Sequence, residues 1–303
     1  MKPHIGAQDE ISNFGGQTRI CSCVMASLRY VDVSAWDSTS TEWQQLMVQL
    51  PAHEQEQVTR FLFEKDQKLA LASHVVQRKL IRDLFRVKYD AIDIRRTPEN
   101  KPYWSRPREN TAPPSWNYNV SHHGNIVAIA SASHALIGVD VVRVTDRPHS
   151  KTSVEAFFRA FIDHFNPSEW EYIRGETSAR DEASQYVRFY QLWSLKEAFI
   201  KAVGAGLGFS LLRAEFVQGK SAQWELFLDG KQAVEWHFTS TQIDPMHLVS
   251  VAYGPFSAMW KPETSSLFPH LEVWEQVCRT TSEEPQEVAK WKEWKQDDLL
   301  QLS

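Results

Sequence analysis

Cysteine is scarce: the 303-residue chain has three, Cys21, Cys23 and Cys278. Their number is odd, no C-x-x-C pair occurs and no histidine cluster stands beside them, which argues against a disulfide framework or a zinc site. Reduced thiols and a cytoplasmic location are the expectation. Long hydrophobic runs are absent too, and none approaches the roughly 20 residues of a membrane span. The first residues, MKPHIGAQDEISNFGG, lack the apolar core of a signal peptide and carry acids that a transit peptide avoids. Residues 1–18 therefore read as a disordered leader. No charge of one sign dominates: 33 Lys and Arg stand against 38 Asp and Glu, a net charge of −5. A general polyanion binder, and with it a nucleic-acid surface, is not expected.

The charge is nevertheless uneven. From Glu54 to Arg108 there are 13 basic and 8 acidic residues, whereas from Lys261 to Ser303 there are 5 and 9. A basic region inside an acidic chain points to a confined anionic ligand. Composition, 42% hydrophobic and 23% charged, is that of a globular protein with a sizeable core in one large or two smaller domains.

Along the chain, Cys21–Val33 alternates as a first strand, and STSTEWQQLMVQL supplies Ser/Thr caps and an early Glu42 for a short helix that Pro51 ends. The stretch HEQEQVTRFLFEKDQKLALASHVVQRKLIRDLFRV reads as one long helix. Leu69, Ala72, Val76, Leu80 and Leu84 form its buried stripe, and Arg78, Arg82 and Arg86 form a solvated basic face. AIDIRRTPENKPYW is strand, turn and short extended piece; RPRENTAPPS is a loop; WNYNVSHHGNIVAIASA is strand–turn–strand; ALIGVDVVRV is an apolar strand broken by one acid, Asp140. TDRPHSKT marks a domain boundary. A helix then covers Ser153–Phe165, and NPSEWEYIRG carries an Asn cap, Pro just inside and Gly at the stop. A long helix ends in AVGAGLGF. AEFVQ, QWELFLD, AVEWHFTS and HLVSVAYG read as strands of an antiparallel sheet, and the acidic tail is docked by Trp291 and Trp294. The fold class is α+β in two similar halves, residues 19–144 and 145–260, each a small antiparallel sheet packed with helices, followed by a partly ordered tail over 261–303.

Three groups of residues bear on chemistry. Asp140 sits in LIGVDVV, where alternation places it on one face with Val142 and opposite Val139 and Val141. It is an edge-strand acid facing solvent, the partner of an arginine such as Arg143, or a functional carboxylate. In FYQLWSLKEAFIKAV, Trp193, Lys196, Glu197 and Ile200 or Lys201 share a face; Glu197 and Lys201 are either a surface i,i+4 pair or groups with a polar task in a mostly buried helix. Gly204, Gly206 and Gly208 close that helix rather than opening one, so they are a helix exit and not a dinucleotide loop. Arg95, Arg96 and Lys101 flank one turn, and Ser121, His122 and His123 flank another, a set of donors suited to phosphate oxygens.

In this order, RFLFEKD, R-T-x-x-x-K-P, N-V-S-H, GVDVV and, roughly fifty residues later, WSLKEAFIKAVGAGL resemble the signature of the 4'-phosphopantetheinyl transferases. The resemblance covers roughly Cys21 to Gly254 and is nearest to the animal, two-half subtype. It implies a monomer that holds coenzyme A in the cleft between its halves. The reaction implied moves the 4'-phosphopantetheine arm to a serine of apo acyl carrier protein domains, of fatty-acid synthase or aminoadipate-dehydrogenase type, leaving adenosine 3',5'-bisphosphate. It implies Mg2+ on Asp140 and Glu197, with Glu197 also taking the serine proton. Lys201, and Lys196 with it, would balance the pyrophosphate charge, and Arg96, Lys101, Asn119, Ser121 and His122 would bind the coenzyme's phosphates. The family's second acid, two residues after the first, is Val142 here, and a basic residue the family often has before the RF aromatic is Gln57, leaving Arg60 as the candidate. The competing reading is a non-catalytic coenzyme A or nucleotide scaffold, which need not keep Asp140, Glu197 and Lys201 together.

Overall fold

A computed structural model describes residues 27–105, 115–133, 135–147, 153–175, 181–219, 222–258 and 290–300. The leader, the three cysteines and most of the tail lie outside them. Strand β1 (Ser27–Asp32) is followed by helices α1 (Thr41–Gln49), α2 (Ala52–Thr59) and α3 (Glu64–Phe85). The hairpin β2 (Ile94–Arg96) and β3 (Pro102–Trp104) leads to strands β4 (Asn117–His123), β5 (Ile126–Ala132) and β6 (Leu136–Arg143). The second half contains α4 (Val154–Arg159), α5 (Pro167–Arg174) and α6 (Glu182–Val203). Strands β7 (Ala214–Gln218), β8 (Trp224–Leu228), β9 (Lys231–Gln232), β10 (His237–Gln242) and β11 (His247–Gly254) follow, and β12 (Lys292–Glu293) and α7 (Gln296–Leu300) close the described chain.

The architecture is α+β. A sheet of order β12-β1-β5-β4 carries α3 on one face, and a sheet of order β10-β11-β6 carries α6 on one face. The two sheets meet through their other faces. Ile126, Ala128 and Ala130 of β5 pack there against Ile137, Val139 and Val141 of β6 and against Val249 and Val251 of β11. Strand β5, IVAIASA, is buried at every position because helix covers one face and sheet the other. Among the described residues, no helix is long and apolar enough to cross a membrane.

Four expectations change. The long basic helix is two helices. The chain leaves α2 at Arg60 and re-enters at Phe63, whose extended backbone (φ −97°, ψ 134°) caps α3 without a side-chain bond. The fold-back lets Glu54 reach Arg78, so Arg78 is not on a solvated face: it is 2% exposed and forms a two-pronged pair with Glu54 at 2.8 and 2.9 Å. The strands after α6 form two sheets, β7-β8-β9 and β10-β11-β6, rather than one. Helix 153–165 is shorter, ending at Arg159 before a single 3-10 turn over Ile162–His164.

Caps follow the sequence. Ser40 accepts from Trp43 N, Asp181 accepts from Ser184 N, and Glu169 Oε2 accepts from Asn166 N behind Pro167. Gly204 ends α6 at φ +77°, a left-handed position that favours glycine. The described part of the tail, residues 290–300, docks through both tryptophans: Trp294 lies under Arg29 and Lys79, Leu299 is buried in the core under α3, and Trp291 packs on the inter-sheet core. It attaches to the first half, since β12 pairs with β1 in parallel.

Candidate active site

The site starts from a glycine. On the α6 side of β6, Gly138 lies so close to the helix that a Cβ there would stand 2.0 Å from Ala198 O and 2.4 Å from Ala202 N. Strand and helix backbones therefore touch, and the next residue on that face, Asp140, meets Lys201 of α6. Lys201 Nζ donates to Asp140 Oδ1 at 2.5 Å and to Ser121 Oγ at 2.9 Å. Ser121 Oγ in turn donates to Asp140 Oδ1 at 3.1 Å and accepts from Val141 N at 3.3 Å. Asp140 is thus neither a solvent-facing edge acid nor the partner of Arg143, which turns to Asp146 at 3.6 Å.

Nor do Glu197 and Lys201 form an i,i+4 pair, because Lys201 is taken by Asp140. No hydrogen bond or ion pair engages the Glu197 carboxylate among the described residues. Burial first, and then the Asp140 charge, push its pKa up, with Lys201 opposing. A half-buried, unpartnered carboxylate beside a second acid is costly unless a cation arrives.

Glu197 and Lys201 face a cavity of about 610 Å³ between the halves. Trp193, Ile200 and Gly204 continue the α6 wall, the β2–β3 turn brings Arg96 and Lys101, and β4 brings Asn119. Lys101 Nζ donates to Ala202 O at 2.8 Å and Ile137 O at 3.4 Å, and burial lowers its pKa to about 7. Arg96 is exposed, bonded through Nη1 to Asn100 O at 3.0 Å. Asn119 Oδ1 accepts from Val139 N at 3.0 Å. His122 is exposed, with Nδ1 3.5 Å from Ser73 Oγ; the surrounding protein, followed by Lys201, holds its pKa down.

Lys196 is not brought into the site. It is fully buried on the opposite side of α6, 2.8 Å from Glu169 and donating to Leu211 O and Ala214 O. Adjacent helical residues point about 100° apart, and Lys196 is turned away from the cavity that Glu197 lines. Arg60 is also outside the cavity lining, lying over the Phe61 ring at 5.4 Å. Val142 packs with Val144, Leu248, Tyr190 and Trp193; its surroundings are apolar, so no third carboxylate is replaced there by a polar group. The sequence reading missed the far wall, Asp163, His164, Phe209 and Leu211. These come from short turns that carry no periodic signal; the only cue was the aromatic in AVGAGLGF.

Two carboxylates stand beside Lys201: Glu197 faces the cavity, and Asp140, buried and not among the lining residues, is bonded to Lys201 Nζ. Hard oxygen ligands in that number suit a small divalent cation that completes its shell with phosphate oxygens and water. Among the described residues no group of three or more His, Cys, Asp or Glu is placed to hold a metal ion.

Comparisons with known proteins identify the family. A family model described as "4'-phosphopantetheinyl transferase, N-terminal" matches residues 34–134, and one described as "4'-phosphopantetheinyl transferase superfamily" matches residues 136–252. The chain is similar to the L-aminoadipate-semialdehyde dehydrogenase-phosphopantetheinyl transferase of Homo sapiens, 33% identical over 242 residues, 76% of each chain. The protein of that name from Mus musculus is 34% identical over the same length. A phosphopantetheinyl transferase of Thraustochytrium sp. is 36% identical over 222 residues, 73% of this chain and 75% of that one.

Proposed function

Because this chain belongs to the 4'-phosphopantetheinyl transferase superfamily, we propose that the cavity between its halves is where the 4'-phosphopantetheine arm of coenzyme A passes to a serine of an apo acyl carrier protein. The chain is an enzyme, a holo-[acyl-carrier-protein] synthase, and its other product is adenosine 3',5'-bisphosphate. The observation that carries the assignment of the site is the meeting of Asp140, Glu197 and Lys201 across the β6–α6 contact, opposite Arg96 and Lys101.

In the reaction, the carrier serine oxygen forms a bond to the phosphorus that bears the pantetheine arm, and the bond from that phosphorus to the bisphosphate oxygen breaks. The serine proton goes to Glu197, directly or through water, and the raised pKa of this carboxyl suits it as the acceptor. Lys201, released from Asp140, and Lys101 offset charge on the pyrophosphate and leaving group, and Arg96 meets a phosphate at the cavity mouth. Asn119, whose Oδ1 is committed to Val139 N, offers its amide nitrogen to an oxygen of the coenzyme. Asp140 and Glu197 are the residues that would hold Mg2+, which when bound supplies charge neutralisation at the pyrophosphate. Ser121 and His122 border this site: Ser121 orients Asp140, and exposed His122 stands at the edge. The same reading makes the enzyme cytoplasmic and monomeric, with carriers of fatty-acid synthase or aminoadipate-dehydrogenase type as partners.

The test is incubation with coenzyme A, Mg2+ and an apo acyl carrier protein, read by intact mass. Gain of one phosphopantetheine arm on the carrier is expected. Tight coenzyme A binding with no gain on several carriers would instead leave only a scaffold.

A further inference from the structure

Strands β4 and β6 belong to different sheets, yet they lie against each other without backbone pairing. Their connection is made by side chains. Every second residue of β4 accepts from every second amide of β6: Asn117 Oδ1 from Ile137 N at 3.1 Å, Asn119 Oδ1 from Val139 N at 3.0 Å, Ser121 Oγ from Val141 N at 3.3 Å, and His123 Nδ1 from Arg143 N at 3.1 Å. The strand period of two matches on both partners, so one strand's side chains satisfy the edge that β11 leaves open. Since His123 Nδ1 accepts, its Nε2 carries the proton and donates to Asp146 at 2.9 Å.

We propose that Asn117 is a positioning residue for the transfer, holding β6, and with it Asp140 and the seat of Lys101, in register against α6. The inference rests on the transferase reading of the site. Asn117 does not line the cavity and is 5% exposed, so it touches no substrate. Both ends of its amide are committed to backbone: Oδ1 takes Ile137 N, and Nδ2 donates to Ala135 O at 2.8 Å. It therefore brackets the start of β6. Ile137 offers its carbonyl to Lys101 Nζ, Gly138 has no clearance from α6, and Asp140 follows on the same face. Slack at Asn117 moves all three together, because the helix prevents the strand from absorbing it locally. A backbone ladder would tolerate most side chains at this position; a clasp made of side chains does not.

The test uses the full chain. Asn117→Ala is compared with wild type for thermal midpoint, and for transfer at varied Mg2+, coenzyme A and apo carrier. The expected result is a folded enzyme whose kcat falls roughly tenfold to a hundredfold, the range for residues that orient ligating groups. Half-saturating Mg2+ and coenzyme A should rise while the KM for carrier stays put. Wild-type kcat and half-saturation values in a variant that only melts earlier would reduce Asn117 to a structural residue and overturn the proposal. Should Asn117→Ala not fold, hydrogen exchange of the wild-type enzyme decides. Slow exchange at Ile137 and Val139, slowed further together by coenzyme A, supports the clasp, and an unprotected Ile137 amide overturns it. The wild-type reaction in the same assay keeps the readings apart: its absence removes the transferase reading, and its presence beside an indifferent Asn117→Ala removes only this one.

Discussion

Adding one methyl group at Gly138 should disable the enzyme more than it destabilises the fold. A Cβ there would lie 2.0 Å from Ala198 O, 2.4 Å from Ala202 N and 2.9 Å from Ala202 Cα, all backbone atoms of α6. No rotamer can relieve such contacts. Raising the shortest from 2.0 Å to the 3.4 Å at which ordinary contact begins requires about 1.4 Å of separation between strand and helix. Overpacking of this kind costs about 1–3 kcal/mol, which most folded domains survive. Asp140 rides on the strand, whereas Glu197 and Lys201 ride on the helix, so the same displacement opens the Lys201–Asp140 contact from 2.5 Å. A misplacement of about 1 Å at a reacting centre costs about a hundredfold in rate. Gly138→Ala should therefore melt cooperatively at a lower temperature and transfer phosphopantetheine about a hundredfold more slowly, by intact mass of the carrier. Gly208→Ala is the control, since a Cβ there meets nothing within 4 Å. Wild-type turnover in Gly138→Ala would refute the argument that the β6–α6 contact sets the site.

Other consequences can be measured alongside. Glu197→Gln should lose at least about a hundredfold in transfer, the contribution of a general base, yet melt no lower than wild type at pH 8, because it removes an unpartnered, half-buried charge; a clear loss of stability would show that Glu197 has a structural partner. Glu54→Gln should cost about 3–5 kcal/mol in urea unfolding by leaving Arg78 buried and unpaired, with activity per folded molecule unchanged. Burial alone would raise the Glu54 pKa, but His74 and Arg78 hold it at about 2, below the ordinary 4.5; its stabilisation is complete above pH 4.5 and fades as pH falls towards 2, so the gap between wild type and Glu54→Gln should narrow over that window. Lys101, lowered to about 7 by burial, is mostly neutral at pH 8, and an anion beside it favours the charged form; calorimetry in buffers of different ionisation enthalpy should show proton uptake on coenzyme A binding at pH 8 that vanishes at pH 6 and in Lys101→Met.

Asp140, Glu197 and Lys201 were legible in the sequence because each is a charged residue in an apolar stretch, and burial forces such residues into pairs or onto ligands. The helix exit at Gly204 was legible because a left-handed cap after a long apolar helix has few other solutions. The fold-back at Arg60–Phe63 was not. No glycine or proline marks it, and the contact it makes possible, Glu54 with Arg78, joins residues 24 apart in the chain. Lys196 misled the reading because its neighbour in the motif, Glu197, faces the cavity, while helix geometry turns Lys196 to Glu169. In NYNVSHH, the alternation of Asn117, Asn119, Ser121 and His123 was present as a pattern; what it grips, the free edge of a strand in another sheet, is a tertiary fact that no local spacing encodes.

The attachment of β12 and α7 to the first half bears on how the protein is made. Leu299 fills the core beneath α3, and Trp294 N donates to Tyr30 O of β1. Domains usually fold in the order in which they leave the ribosome. Here the half synthesised first cannot finish its sheet or its core until residues 290–300 have emerged, whereas the half that carries α6 and β11 is complete earlier. Maturation of the nascent protein should therefore run from its second half back to its first, with α7 closing the structure that β1 began.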